Sequence, residues 1–161
     1  MTVVIAVPSS LDDLTFESVL DQLAPHPADA KVIVDARHST FATPYGLTAL
    51  LTLAQTRAEK AEFLPPENPD TVSYWARAGF FRHAEELFDL RGHVPRPRSA
   101  GESDVLLEVT PVTRSDDVHG VVERIQERSA SMLWNKLHLE SRATMGFAMT
   151  LSEACQNIVE H

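Results

Sequence analysis

Apolar residues fall in two rhythms along this chain. Through residue 90, short β-branched runs alternate with stretches of helical periodicity; past residue 104 there is one further run and then two long helical stretches. Residues 2–7 form an apolar run closed by Pro8, Ser9 and Ser10 and predict a strand. Leu11, Leu14, Phe16, Val19, Leu20 and Leu23 then recur at helical spacing up to Pro25. Residues 31–35 are the clearest strand, continuous enough to predict burial on both faces. A Leu- and Ala-rich helix over 47–60 follows, then a strand over 61–64 ended by Pro65 and Pro66. A helix over 71–79 and one more turn or strand over 80–90 complete this part. Strand–helix alternation with short connections predicts α/β layers and a sheet containing parallel pairs.

Prolines, arginines and flanking glycines over 92–102 read as an extended linker. Beyond it, residues 105–112 predict a strand. Ser115 followed by Asp116 and Asp117 marks a helix start, with carboxylates in the first turn. Val118, Val121, Val122, Ile125, Met132, Leu133 and Leu137 carry that helix to residue 137. Residues 138–141 break the pattern, and a second helix begins near Arg142. The expected organisation is a domain over 1–92, a linker over 93–103 and a second unit over 104–161.

Composition narrows the classes. At 161 residues the chain suits one domain, or one small domain plus part of another. A formal net charge of −9 repels phosphate backbones and argues against direct nucleic-acid binding. The single cysteine, Cys155, permits no intrachain disulfide and makes a reducing compartment the default. It falls in an apolar stripe with no electropositive neighbour, which reads as packing rather than a catalytic thiol. No signal-like N-terminus and no apolar run approaching ~18 residues is present, so no membrane role and a cytoplasmic location are expected. The seven histidines have no metal-site spacing, and Ser9 and Ser10 lack the frame of a nucleophile elbow.

The sharpest candidate chemistry lies in residues 151–161. Glu153, Asn157 and His161 recur at four-residue spacing, which on a helix advances only about 40° per step and forms one polar stripe. Beside it run Phe147, Leu151, Ala154, Cys155 and Ile158, an apolar stripe suited to packing. A carboxylate next to an amide oxygen suits Mg²⁺, a hard cation that usually also holds phosphate and water. An amphipathic helix with a repeating polar edge gives the same pattern without a ligand. The Glu153-xxx-Asn157-xxx-His161 spacing resembles the N-box of the histidine-kinase-like ATPase superfamily, which includes the anti-sigma-factor serine kinases. The resemblance covers residues 104–161 in the order strand, long helix, short loop, N-box helix. It implies ATP and Mg²⁺ as cofactors, Asn157 as the metal ligand, Glu153 as the catalytic base and His161 as a third polar position at the nucleotide. The family's Asp-x-Gly-x-Gly segment does not occur in the chain, and six glycines supply no phosphate-cradling loop. The nucleotide site is therefore expected to be incomplete in these residues, as in the front part of a longer protein.

A second resemblance covers residues 1–93. Val34, Asp35, a loop with Phe41, then Thr43, Pro44, Tyr45, Gly46 and Leu47 resemble a STAS domain, the fold of anti-sigma-factor antagonists. Asp35 fits that family's strand-end Asp, Phe41 its buried loop anchor, and Gly46 with Leu47 its helix opening. Trp75, Gly79, Phe80 and Phe81 resemble its later helix ending in Gly-Phe; by themselves Trp75, Phe80 and Phe81 read as core. The family's phosphoacceptor position is Pro44 here. Proline has no hydroxyl, so the phosphoserine switch does not carry over. Pro44 suits a first helical turn and Thr43 its N-cap.

Together these give an expected fold class of α/β: a STAS-like sheet with helices, followed by an incomplete α+β unit of a histidine-kinase-like ATPase. The implied function is a regulatory protein of the partner-switching type, whose parent is an ATP-dependent protein serine/threonine kinase and whose partner is a sigma-factor regulator or antagonist protein. The alternative is a non-catalytic interaction module without a nucleotide role. Self-association to a homodimer through an uncovered helix face at 118–137 stays open.

Overall fold

The computed structural model describes residues 2–95, 108–112, 114–135, 138 and 140–160. Its chain divides into two units, Met1–Gly101 and Glu102–His161. The N-terminal unit runs β1 (Thr2–Ala6), β2 (Ser10–Leu11), α1 (Phe16–Leu23), β3 (Lys31–Asp35), β4 (Phe41–Ala42), α2 (Pro44–Gln55), β5 (Ala61–Leu64), α3 (Pro69–Arg77), α4 (Phe80–Leu87) and β6 (Phe88–Leu90). The main sheet is parallel throughout, in the order β1-β3-β5-β6; β2 and β4 form a separate two-residue parallel ladder.

That order explains which face is covered. Each strand joins on the same side of the last, and parallel crossovers are right-handed, so the connecting helices fall on one face of the sheet. Burial agrees. Val3, Ile5, Val32, Val34, Ala61, Phe63 and Phe88 are buried, whereas Ile33 and Leu64 are only half-buried and Val4 is 58% exposed. The expectation that residues 31–35 are buried on both faces is thus corrected: Val32 and Val34 are buried toward the helices of this unit, and Ile33 on the other face is only half-buried. Charges close the lower end of that side, where Glu62 takes Arg91 at 3.2 Å and Lys31 at 3.5 Å.

The core is aromatic. Phe63 of β5 meets Phe80 at 5.4 Å and Phe88 at 5.0 Å between ring centroids, and Trp75 of α3 meets Phe80 edge-on at 4.9 Å. The sharp turn that folds α4 back beside α3 needs Gly79, whose φ of 79° is left-handed backbone that side chains resist. At the open edge of β1, Gln22 takes the place of a neighbouring strand: Ala6 N–H donates to its Oε1 at 2.8 Å, and its Nε2 donates to Ala6 O at 3.0 Å.

Helix α2 begins as the sequence predicts. Thr43 is the N-cap, its Oγ1 accepting the Gly46 N–H at 3.2 Å, and Pro44 occupies the first turn. Thr43 also fastens the helix to β2, because its N–H donates to Leu11 O at 2.9 Å. Thr43→Ala should cost about 1 kcal/mol, the usual worth of a lost cap. Thr43→Ser should cost little. A pair of thermal melts checks this, and equal melting points for wild type and Thr43→Ala would exclude the capping role.

The C-terminal unit is a pair of helices, α5 (Ser115–Asn135) and α6 (Ser141–Glu160), joined through His138 at φ 52°. Arg114 N–H donates to Asp117 Oδ2 at 3.0 Å, so a first-turn carboxylate closes the start of α5. Val118 and Val122 of α5 pack with Cys155 of α6, with Val112 and Leu151 against them. Cys155 is a buried free thiol, as its place in the pattern suggested. The strand expected over 105–112 is not found at residues 108–112, which belong to no element, and 105–107 lie outside the described residues. Within this stretch Pro111 has no N–H to offer a ladder. The described part of this unit is therefore helical rather than α+β.

Candidate functional site

Two surfaces gather the residues that the sequence singled out. The first is α6. Its buried line of Ala148 and Cys155, with Leu151 half-buried, faces α5. Counting about 100° per residue from that line places Glu153 and Asn157 on the opposite side of the helix, one turn apart. Both are exposed. The helix thus presents the carboxylate and the amide together, as the four-residue spacing requires. His161 lies outside the described residues. Ala154, expected in the apolar stripe, is exposed, and Phe147 is only partly covered. The packing stripe is narrower than expected because only one helix covers it.

Chemically this surface offers two oxygen ligands in open solvent. Among the described residues no group of three or more His, Cys, Asp or Glu side chains gathers to hold a metal. A Mg²⁺ ion carrying phosphate and water does not need such a group, since one or two protein oxygens suffice. Thr150, one turn before Glu153, spends its hydroxyl on the Gly146 carbonyl at 3.0 Å. Asn157 and Glu153 thus offer an amide and a carboxylate oxygen on one side of α6, both exposed.

The second surface is the corner where β2, β4 and α2 meet, beyond the carboxyl end of β1 and β3. Asp12 Oδ1 accepts from the N–H groups of Leu14 and Thr15 at 3.1 and 2.9 Å, forming a tight turn ahead of α1. These hydrogen bonds, that to Thr15 foremost, hold the Asp12 carboxyl below its ordinary range. The turn thrusts Leu14 outward, 79% exposed. Leu14 shares the helical spacing of residues 11–23, but α1 starts only at Phe16, so the periodic frame does not reach it. Phe41 is corrected as well: it is 55% exposed, not a buried anchor, and Ala42 takes the buried side of the two-residue strand. Tyr45 stands exposed beside them, its ring edge-on to Phe16 at 6.3 Å. Leu14, Phe41 and Tyr45 are thus each exposed on the segments that build this corner. Sequence reasoning missed Leu14 and Tyr45 as surface residues; the available signal was Asp12 followed by Thr15, a turn pattern inside an apparent helix.

Asp35 ends β3 near this corner, as expected for a strand-end Asp. Arg37 grips it with both donors, Nε to Oδ1 at 2.9 Å and Nη2 to Oδ2 at 2.7 Å. The Arg37 hydrogen bond is the main reason its carboxyl is held below the ordinary carboxylate range. A depressed carboxylate stabilises the fold above its unfolded pKa, and that contribution is lost as pH falls through the folded value. Arg37→Ala should therefore move the Asp35 titration upward, read by carboxyl-carbon NMR, and shift acid unfolding to higher pH. An unmoved Asp35 titration would show that the ion pair does not exist in solution. Held as a carboxylate, Asp35 is an anchor for the loop rather than a proton donor near neutrality.

No helix among the described residues is long and apolar enough to cross a membrane. Set against models of protein families, against curated proteins and against solved structures, the chain matches none.

Proposed function

We propose that the chain is a regulatory protein of the partner-switching type. Its N-terminal unit is a STAS-like docking module, and its C-terminal helix pair carries the N-box of an anti-sigma-kinase-like ATP-binding domain. The observation that carries this reading is the joint presentation of Glu153 and Asn157 on the outer side of α6, opposite the α5 seam. In this reading Asn157 supplies an oxygen to Mg²⁺ bound to ATP phosphates and Glu153 stands beside it as the base. ATP·Mg²⁺ supplies the transferable phosphoryl group when bound. Within these 161 residues the enclosing segments are not present, so the chain alone is proposed to be inactive as a kinase.

The N-terminal unit supports a docking role. Sequential parallel strands with helices on one face fit the α/β expectation, and Thr43 with Pro44 builds the helix opening without a phosphoacceptor. The Leu14, Phe41 and Tyr45 corner is apolar, exposed and held on firmly bonded turns, which suits protein contact more than catalysis. Its proposed partner is a protein regulator of the sigma-factor antagonist kind. Paired Phe41→Ser and Tyr45→Ser changes should abolish capture of such a partner while leaving the melting point nearly unchanged; capture at wild-type strength would move the docking site elsewhere.

A second reading is favoured by one observation. Glu153 and Asn157 stand open to solvent, and among the described residues no metal-binding group gathers at them, as a purely non-catalytic interaction module would have it. Nucleotide binding that depends on Asn157 separates the two.

A further inference from the structure

Strand β6 closes one end of the main sheet, and among the described residues no strand pairs with its outer edge. Arg91 N–H donates to the Phe63 carbonyl at 2.9 Å, while the register partner of Phe63 is Leu90. In a parallel ladder the main-chain groups of alternate residues point to opposite sides. Asp89 and Arg91 therefore bond inward to β5, and Leu90 turns its N–H and C=O outward. Along this edge runs an open cleft of about 1100 Å³. It extends from Lys60 and Glu85, beside the start of the strand, to Gly92 and His93 past its end.

The charges on this edge are self-complementary. Asp89 and Arg91 flank Leu90, both exposed and both on the same face of the strand, where Arg91 Nε already holds Glu62 at 3.2 Å and has its remaining guanidinium donors for a second carboxylate. A second β6 laid antiparallel about a two-fold axis through Leu90 sets each Asp89 opposite the other copy's Arg91. Opposite charges directly across an antiparallel pair attract, and like charges repel. A net charge of −9 opposes contact between copies over most surfaces; at this edge the two-fold produces two attractive pairs instead. Leu90 N–H and C=O then bond their counterparts in the other copy.

We propose that two copies of the chain associate through β6, antiparallel about Leu90, joining two four-stranded sheets into one of eight strands. The contact is isologous, so it closes at a dimer rather than growing a fibre. With only three residues of strand on each side it belongs among the small, weak interfaces. The proposal does not depend on the nucleotide reading or on the docking corner.

Sedimentation equilibrium of the full chain over a wide concentration range tests it, with two variants. Leu90→Pro removes the outward N–H while leaving the inward bonds of Asp89 and Arg91 intact. Asp89→Lys replaces each attractive pair by a repulsive one. The expected result is a concentration-dependent dimer whose dissociation constant rises at least tenfold in either variant. Should Leu90→Pro disturb the fold, seen as a lowered melting point, Asp89→Lys decides alone. A monomer at every concentration overturns the proposal. So does a dimer that Asp89→Lys leaves at wild-type strength, as expected if copies met through the helix pair or a face of the sheet.

Discussion

Trp75→Ala should lower the stability of the N-terminal unit by about 3–5 kcal/mol, the usual cost of emptying an aromatic site in a core. Trp75 is fully buried and touches Phe63, Phe80 and Phe81, so its loss opens a hole at the junction of α3, α4 and β5. The neighbouring rings are themselves locked together, which limits collapse into the space. Small domains hold only about 5–15 kcal/mol in all, so the variant should melt more than about 12 °C lower or fail to fold at ordinary temperature. Trp75→Phe is the informative companion. The Trp75 Nε1 is buried without a hydrogen-bond partner among the described residues. Phenylalanine removes that unmet donor, whose burial costs about 1–3 kcal/mol, and keeps most of the ring contact. Its net effect should be much the smaller. Circular-dichroism melts of both variants check the pair; equal losses would mean that the ring contact kept by phenylalanine contributes nothing to stability, against this account of the core.

Gly46→Ala should cost about 2–3 kcal/mol, the upper part of the range for forcing a methyl group into a packed site. A Cβ at Gly46 would stand 2.6 Å from the Leu11 carbonyl oxygen and 2.7 Å from Leu11 Cγ. The Leu11 side chain could shift, but its carbonyl is fixed by the Thr43 N–H at 2.9 Å. In an open helix alanine would gain about 1 kcal/mol over glycine, so a loss here isolates the close approach of α2 to β2. Leu11→Ala in the same chain removes the Cγ contact and leaves the carbonyl, and should not rescue stability. A Gly46→Ala protein as stable as the wild type would show that β2 and α2 are not seated together.

The strands that sit inside the sheet were legible because their apolar runs are continuous. Residues 31–35 and 61–64 begin and end in the structure where the sequence places them. The helix pair was legible from its periodicity, with α6 starting one residue before the expected Arg142. Residues 80–90 hold both outcomes left open for them, a helix and then a strand. The two-residue strands escaped, since no periodicity exists over two positions; their cause is long-range bonding, such as Thr40 and Phe41 N–H groups donating to Ser9 O. Missing them mis-set α1, because Leu11 is buried by β2 rather than by a helix, and its accidental spacing with Leu14 mimicked an amphipathic turn. The one-sided cover of the sheet was hidden for a different reason. Ile33 is apolar on the half-buried face, so the run at 31–35 does not alternate cleanly, and only strand order reveals which side the helices take. At the site, spacing alone placed Glu153 and Asn157 together, because helical geometry is local. What encloses such a pair is not local, and no pattern of four-residue steps can report it.

The central claim is that Asn157 belongs to a nucleotide site. Calorimetric titration of ATP·Mg²⁺ into this chain and into the longest reading frame that contains it, each beside its Asn157→Ala variant, tests that directly. The account predicts binding by the longer protein, loss of that binding in Asn157→Ala, and none by residues 1–161 alone. Absence of binding in the longer protein, or binding that survives Asn157→Ala at full strength, would contradict it and leave the polar stripe of α6 as a solvated helix edge.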